Sequence, residues 1–304
     1  MKLLQLLITS TLFIIAGFSA VSFGSPWQFI TGSDPLTAGA VTCGAVIAAS
    51  FSLAWLTGDY SQTDRLWSMI PILYTWFFAA RAWPDARLIV MASLVTIWGA
   101  RLTFNFARKG GYTSEEDYRW AVLRKRINNP IVWQLFNLLF IAGYQHLLVF
   151  LFTLPAYAAY INRGVPLGAV DYVAAVIFII LVLFETIADQ QMWNFQQEKY
   201  RRIAAGEAQE GDYRRGFITS GLFRYSRHPN YFAEVSIWWV FYLYAPAASG
   251  EWLHWTIIGA VLLTLLFQGS VRFTESITAE KYPEYGEYRR RVSALIPWFA
   301  RSRD

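Results

Sequence analysis

The chain has 304 residues, of which 55% are hydrophobic, 18% aromatic and only 15% charged, and its net charge is +5. Soluble domains carry about 25% charged residues, so this one has too little polar surface to face water on every side, and a membrane protein follows. The single cysteine, Cys43, excludes an internal disulfide, and one Cys with three His argues against a Cys/His metal site.

Hydropathy predicts about eight spans, each near the ~20 residues that a bilayer crossing needs. They run over 3–23, 37–57, 67–82, 87–106, 131–160, 168–196, 230–247 and 253–272. The fold class expected is all-α, a polytopic membrane helix bundle. The first span follows Lys2 as a signal peptide would. No small-residue cleavage site comes after it and the apolar run is long for a signal-peptide core, so it reads as a retained helix.

Loop charge orients the bundle, because cytoplasmic connections collect Lys and Arg. The 107–130 loop holds Arg108, Lys109, Arg119, Arg124, Lys125 and Arg126, and the 197–229 loop and the tail after 272 are similarly basic. The connections near 24–36, 161–167 and 248–252 carry just Asp34, Arg163 and Glu251. With eight spans this places both termini in the cytoplasm. The basic residues thus belong to span-flanking loops and do not imply nucleic acid. Fourteen Trp and seventeen Tyr suit a chain with two membrane–water interfaces to line. No repeat or low-complexity linker interrupts residues 1–304, which read as one integral-membrane domain.

Polar residues within the spans are the functional candidates, since an ionisable group in a bilayer is costly. Asp64 opens the third span, either as a helix cap or as a proton-handling carboxylate. Trp98, Arg101, Asn105 and Arg108 are spaced three, four and three apart and share one helical face, which reads as a face turned to a polar cavity. Arg108 alone reads equally as a snorkelling arginine. Glu185 and Asp189 form an i, i+4 acidic pair late in the 168–196 span, either for a ligand or for ion pairs that tie helices together. Asn230 and Glu234 repeat that spacing at the start of the next span. Arg272 and Glu275 close the last one, and the apolar Ala294–Phe299 segment suggests a tail folded back over the bundle.

The densest string is Gly221-Leu222-Phe223-Arg224-Tyr225-Ser226-Arg227-His228-Pro229-Asn230-Tyr231-Phe232-Ala233-Glu234. Arginines next to a helix N-terminus make an anion site, because free N–H groups and the positive dipole end add to the cations. No GxGxxG within a βαβ unit, no GxxxxGK[ST] loop and no serine nucleophile elbow is present.

This string resembles the signature of membrane steroid 5α-reductases, particularly bacterial relatives of unassigned function; sterol C14-reductases and isoprenylcysteine carboxyl methyltransferases share a looser form. The resemblance runs from about Asp64 to Pro297, so that residues 61–304 read as the reductase-like core; the helices of 1–60 are matched only by hydropathy, and the first of them is additional to the usual seven-helix reductase core. By that resemblance Asp64, seven residues before Pro71, and Trp98, three before Arg101, fall at the substrate end. In steroid 5α-reductases the latter aromatic is a tyrosine whose hydroxyl, with the acid, bonds the enone carbonyl. Trp98 has no hydroxyl, so Asp64, Tyr74 or Arg101 would polarise the carbonyl.

The resemblance implies NADPH near Glu185 (where an amide is usual), Asp189, Arg224, Arg227, His228, Asn230, Tyr231, Glu234, Arg272 and Tyr282, with Asn105 and Arg108 contributing. The expected activity is NADPH-dependent reduction of a conjugated C=C bond in a steroid- or isoprenoid-like substrate. That substrate would enter from the bilayer, with membrane lipids as surroundings and no obligatory protein partner. The alternatives are an S-adenosylmethionine-dependent methyltransferase and a non-catalytic lipid-binding protein. The bacterial character of the resemblance points to an inner membrane.

Overall fold

The computed structural model describes residues 32–113 and 116–300; the predicted span 3–23 lies outside them. Every regular element among the described residues is helical, and the backbone pairs as a strand would only at an isolated parallel bridge, Ser226 to Ser293. In chain order the helices are α1 (Pro35–Thr57), α2 (Gln62–Leu66), α3 (Ile70–Arg81), α4 (Ala86–Arg108) and α5 (Tyr118–Ile127). Then come α6 (Pro130–Thr153), α7 (Pro155–Ile161), α8 (Ala169–Ala204), α9 (Gly211–Arg215), α10 (Pro229–Tyr242), α11 (Tyr244–Ser249), α12 (Ile257–Lys281) and α13 (Tyr285–Arg291).

Five of these, α1, α4, α6, α8 and α12, are long and apolar enough to cross a bilayer. Of the other expected spans among the described residues, 67–82 is a shorter helix starting at Ile70 and 230–247 is interrupted, with a proline at each place. A proline within a helix forfeits the bond to the carbonyl four residues back. Pro246 would leave the Tyr242 carbonyl unpaired, and α10 ends there, with α11 starting afresh at Tyr244. Pro155 ends the expected 131–160 span at Thr153 and opens α7 at its first position, where no N–H is needed. Pro71 sits in the first turn of α3, so the third span starts at Ile70.

Asp64 therefore lies in a separate short helix, α2, whose N-cap residue is Ser61; the expectation that Asp64 opens the third span as its cap is corrected. Within α6 the middle segment Asn137–Tyr144 is a π-helix. A Cβ built on Gly143 would stand 2.6 Å from the Leu138 carbonyl oxygen, so the i→i+5 geometry needs glycine there.

The chain groups into two compact units interleaved in sequence. Unit 1 takes residues up to Val173 together with Tyr242–Gly259, and unit 2 takes Ala174–Phe241 with the chain from Ala260 onward. Unit 1 is centred on Phe78, Leu88, Met91, Val95, Trp98, Leu148 and Val149, all fully buried. It also encloses an ion pair that the sequence reading missed. Arg87 donates to Asp171 through Nε (2.7 Å) and Nη2 (3.0 Å), and to the carbonyls of Val165 (3.1 Å) and Pro166 (2.9 Å). Gly168 N donates to the same carboxylate at 2.8 Å. The pair ties the 165–168 connection to α4, and its fully paired geometry is what lets two charges stay buried. Unit 2 packs around Phe178, Ala188, Ile237, Trp238, Phe241 and Leu263. A second cluster of Phe217, Tyr285, Tyr288 and Val292 holds its C-terminal part.

Candidate functional site

In unit 2 the Gly221–Glu234 string folds as a 3₁₀ turn (Gly221–Arg224), a short extended stretch and the first turns of α10. Gly221 has φ +61°, and a Cβ there would meet the Gln191 side chain at 2.5 Å; only glycine fits, and the closeness lets Gln191 Oε1 accept from Leu222 N at 2.9 Å. The tail does fold back, as expected: Ser226 bridges Ser293, Arg227 N donates to Ser293 O (2.9 Å), His228 N to Ala294 O (3.2 Å) and Trp298 N to Tyr225 O (2.9 Å). Those backbone donors ahead of α10 thus serve the C-terminal strap and not an anion.

Arg227 also turns inward. Its Nε and Nη2 donate to the two oxygens of Glu275 at 2.6 and 3.1 Å, and Nη1 donates to the carbonyls of Arg289 (2.9 Å) and Val292. Four of its five N–H groups are thereby used. Glu275, 2% exposed, further meets His228 Nε2 (3.1 Å), Arg289 Nε (3.1 Å) and the hydroxyl of Tyr285 (3.4 Å). Two guanidiniums facing one carboxylate leave the cluster locally positive. Arg224 and Arg272 are exposed and make no hydrogen bond or ion pair among the described residues. Tyr231 stacks on His228 (centroids 5.2 Å) and meets Phe267 edge-on. Tyr282 accepts from Lys199 Nζ at 2.9 Å, and the same ammonium donates to Gly216 O at 2.8 Å; Lys199 lies on α8, at the edge of the basic 197–229 stretch.

The acidic pair of α8 and the polar pair of α10 do come together in part. Asn230 Nδ2 approaches Asp189 Oδ1 at 3.4 Å, the long edge of a hydrogen bond. Glu185, Asp189 and Glu234 are each 4% exposed, and Glu234 accepts from Trp238 Nε1 at 3.4 Å. Beyond this pair, α8 and the 210–221 connection enclose an open cleft of about 760 Å³ lined by Gln191, Asn194, Phe195, Glu198, Arg202, Glu210, Gly211, Asp212, Tyr213, Ile218, Ser220 and Gly221. Tyr213 stacks on Phe195 (5.4 Å) and lies under the Arg202 guanidinium (4.5 Å). Asp212 fixes the loop by accepting from Thr219 N (2.7 Å) and Oγ1 (2.6 Å). A cleft of this size is within the range of small-molecule sites, about 300–1,000 Å³. No sequence motif marks it.

Unit 1 holds the other candidates. Asp64 accepts from Trp120 Nε1 (2.7 Å) and Arg119 Nη2 (3.4 Å), and burial pushes its carboxyl up to about 6 although Arg119 opposes the shift. Tyr74, 4% exposed, packs on Phe150 at 5.1 Å. On α4, Trp98 is fully buried and Arg101 half-buried; Asn105 Oδ1 accepts from Arg108 Nε at 2.9 Å, with that guanidinium over Phe104. The four residues share α4 as their spacing predicts, and Asn105 and Arg108 bond each other. Among the described residues no group of three or more His, Cys, Asp or Glu could hold a metal.

Long apolar helices carrying buried carboxylates and arginines define a polytopic helical membrane protein. Its family is also shown: the chain belongs to the one described as "Protein of unknown function (DUF1295)", which matches residues 50–292. An uncharacterized protein of the yeast Schizosaccharomyces pombe is 35% identical over 290 residues, covering 89% of this chain and 82% of its own. No solved structure matches.

Proposed function

We propose that the chain is an NADPH-dependent membrane reductase of a conjugated C=C bond in a lipophilic, steroid- or isoprenoid-like substrate, similar to steroid 5α-reductases. One observation carries this reading: α8 and α10 keep Glu185, Asp189, Asn230 and Glu234 inside apolar helices of unit 2, at positions where that resemblance expects groups around a nicotinamide nucleotide. Such residues are too costly in a bilayer to be incidental. Arg224 and Arg272, exposed cations without a partner among the described residues, suit phosphates, and the Phe195–Tyr213 stack suits an adenine. When bound, NADPH supplies a hydride to the β-carbon of the enone. By the same resemblance, Asp64, Tyr74 or Arg101 would stabilise the negative charge that grows on the enone oxygen.

A second reading has its own support. Of the three acids that line the cleft, Glu198 pairs with Arg201 and Arg202 and Asp212 with Arg215, while Glu210 makes no ion pair among the described residues. An acid left over in the lining favours a cationic adenosyl ligand, S-adenosylmethionine, over a multiply phosphorylated one. Thermal unfolding of the detergent-purified protein separates the two. A ligand at a hundred times its Kd stabilises by about 2.7 kcal/mol, and we expect NADPH to raise the midpoint with S-adenosylmethionine inert. The reverse pattern favours a methyltransferase, and indifference to both favours a lipid-binding role.

A further inference from the structure

His146 lies on α6 just past the π-helical stretch, 1% exposed, in the middle of unit 1. Its Nε2 is 2.8 Å from Ser50 Oγ and 3.4 Å from Thr63 Oγ1. Its Nδ1 has no hydrogen-bond partner among the described residues. The hydroxyls decide which nitrogen carries the proton. Thr63 gives its hydrogen to the Ile141 carbonyl at 3.0 Å. Ser50, 1% exposed, has no acceptor among the described residues other than His146 Nε2. If Ser50 donates to Nε2, the ring proton sits on Nδ1 and a single buried donor is left over. The opposite tautomer strands two groups, the Ser50 hydrogen and the Nδ1 lone pair, and each buried orphan costs about 1–3 kcal/mol.

An Nδ1–H in this place needs an acceptor. A buried water needs two to four polar partners, and around His146 the helix offers Ala142, Leu148, Val149 and Phe150, all buried and apolar. The neighbouring orphans on α6 differ in this respect. Trp133 Nε1 and Asn137 Oδ1, a donor and an acceptor one helical turn apart, are both left over there. His146 has no such mate. Phe150, one turn on, packs against Tyr74, and Cys43 donates to the His146 carbonyl at 3.6 Å, so one of the sequence-derived substrate candidates shares this neighbourhood. We propose that His146 Nδ1–H, with the ring held by Ser50, binds the carbonyl oxygen of an apolar ligand. That the ligand is the enone to be reduced rests on the reductase reading; the carbonyl contact rests on the geometry alone.

The test uses the full chain with ¹⁵N-histidine in nanodiscs of ether-linked lipid, which has no ester carbonyl, and progesterone as the enone probe. With only three histidines in the chain, a His146→Gln variant assigns the signal. We expect a single Nδ1–H tautomer whose resonance moves on adding progesterone but not on adding a carbonyl-free steroid of the same skeleton. Ser50→Ala, which frees the ring, should weaken the probe about tenfold. The contact is overturned by a His146 resonance that stays still to the solubility limit of the probe, by the Nε2–H tautomer, or by Ser50→Ala binding as tightly as wild type. A response confined to ester-lipid discs, assigning the oxygen to bilayer lipid, or rapid exchange with bulk water, assigning it to water, also overturns it. If His146 responds while NADPH gives no thermal stabilisation, the reductase reading fails and the carbonyl contact stands.

Discussion

Glu275 is one carboxylate held by two guanidiniums, an imidazole and a phenol, and it joins the Arg227–His228 segment to α12 and to the C-terminal strap. Replacing it with glutamine keeps the shape and removes the charge that Arg227 was folded around. Breaking one side of a buried pair costs about 3–5 kcal/mol, and Glu275→Gln should lower unfolding stability in detergent by that order; an unchanged midpoint would show the knot to be dispensable. Asp64 makes a different forecast. Its carboxyl is raised from 3.8 to about 6, chiefly by burial. A carboxyl with a higher pKa in the folded protein binds more protons folded than unfolded, so its stabilising contribution is complete below about pH 4 and lost as pH rises through about 6. Relative to Asp64→Asn, wild type should therefore lose about 2–3 kcal/mol across that window, read as the difference between the two unfolding curves at each pH. A difference independent of pH would mean that the carboxyl is ordinary.

Among the elements, neither the proline breaks nor the π-helix was read from hydropathy. Pro71, Pro155 and Pro246 stand in the sequence where helices restart, and the span lengths expected from hydropathy erred because averaging over apolar residues ignores a missing N–H. The π-helical Asn137–Tyr144 leaves no mark in hydropathy, since it changes the winding and not the composition. Gly143 is its one local sign. Gly143→Ala brings a Cβ to 2.6 Å from the Leu138 carbonyl. We expect a loss of about 1–3 kcal/mol, as for other overpacked sites, seen as a lower thermal midpoint; a gain in stability would show the segment rewinding to an α-helix without strain.

For the whole molecule, the basic 107–130 connection and the sparsely charged 161–167 connection should lie on opposite sides of the bilayer. Cys43 is 3% exposed and should resist labelling. Cysteines placed at the exposed positions Lys125 and Arg163 (Lys125→Cys, Arg163→Cys) should react with a membrane-impermeant maleimide from opposite faces of sealed vesicles, Lys125→Cys from the cytoplasmic one. Labelling of both from one face would remove the charge-based orientation.

Composition and hydropathy were enough to establish a helical membrane protein, and the Gly221–Glu234 string was enough to locate a polar centre, because hydrophobicity and local spacing are properties of the chain itself. What the polar residues do to one another was settled only by folding. Arg227 closes on a glutamate 48 residues away, Arg87 finds Asp171 84 residues on, and His146 meets Ser50 from 96 residues away. Ion pairs and tautomers depend on distances of a few ångströms, and in a bundle those distances follow from how helices pack rather than from the order of residues along the chain.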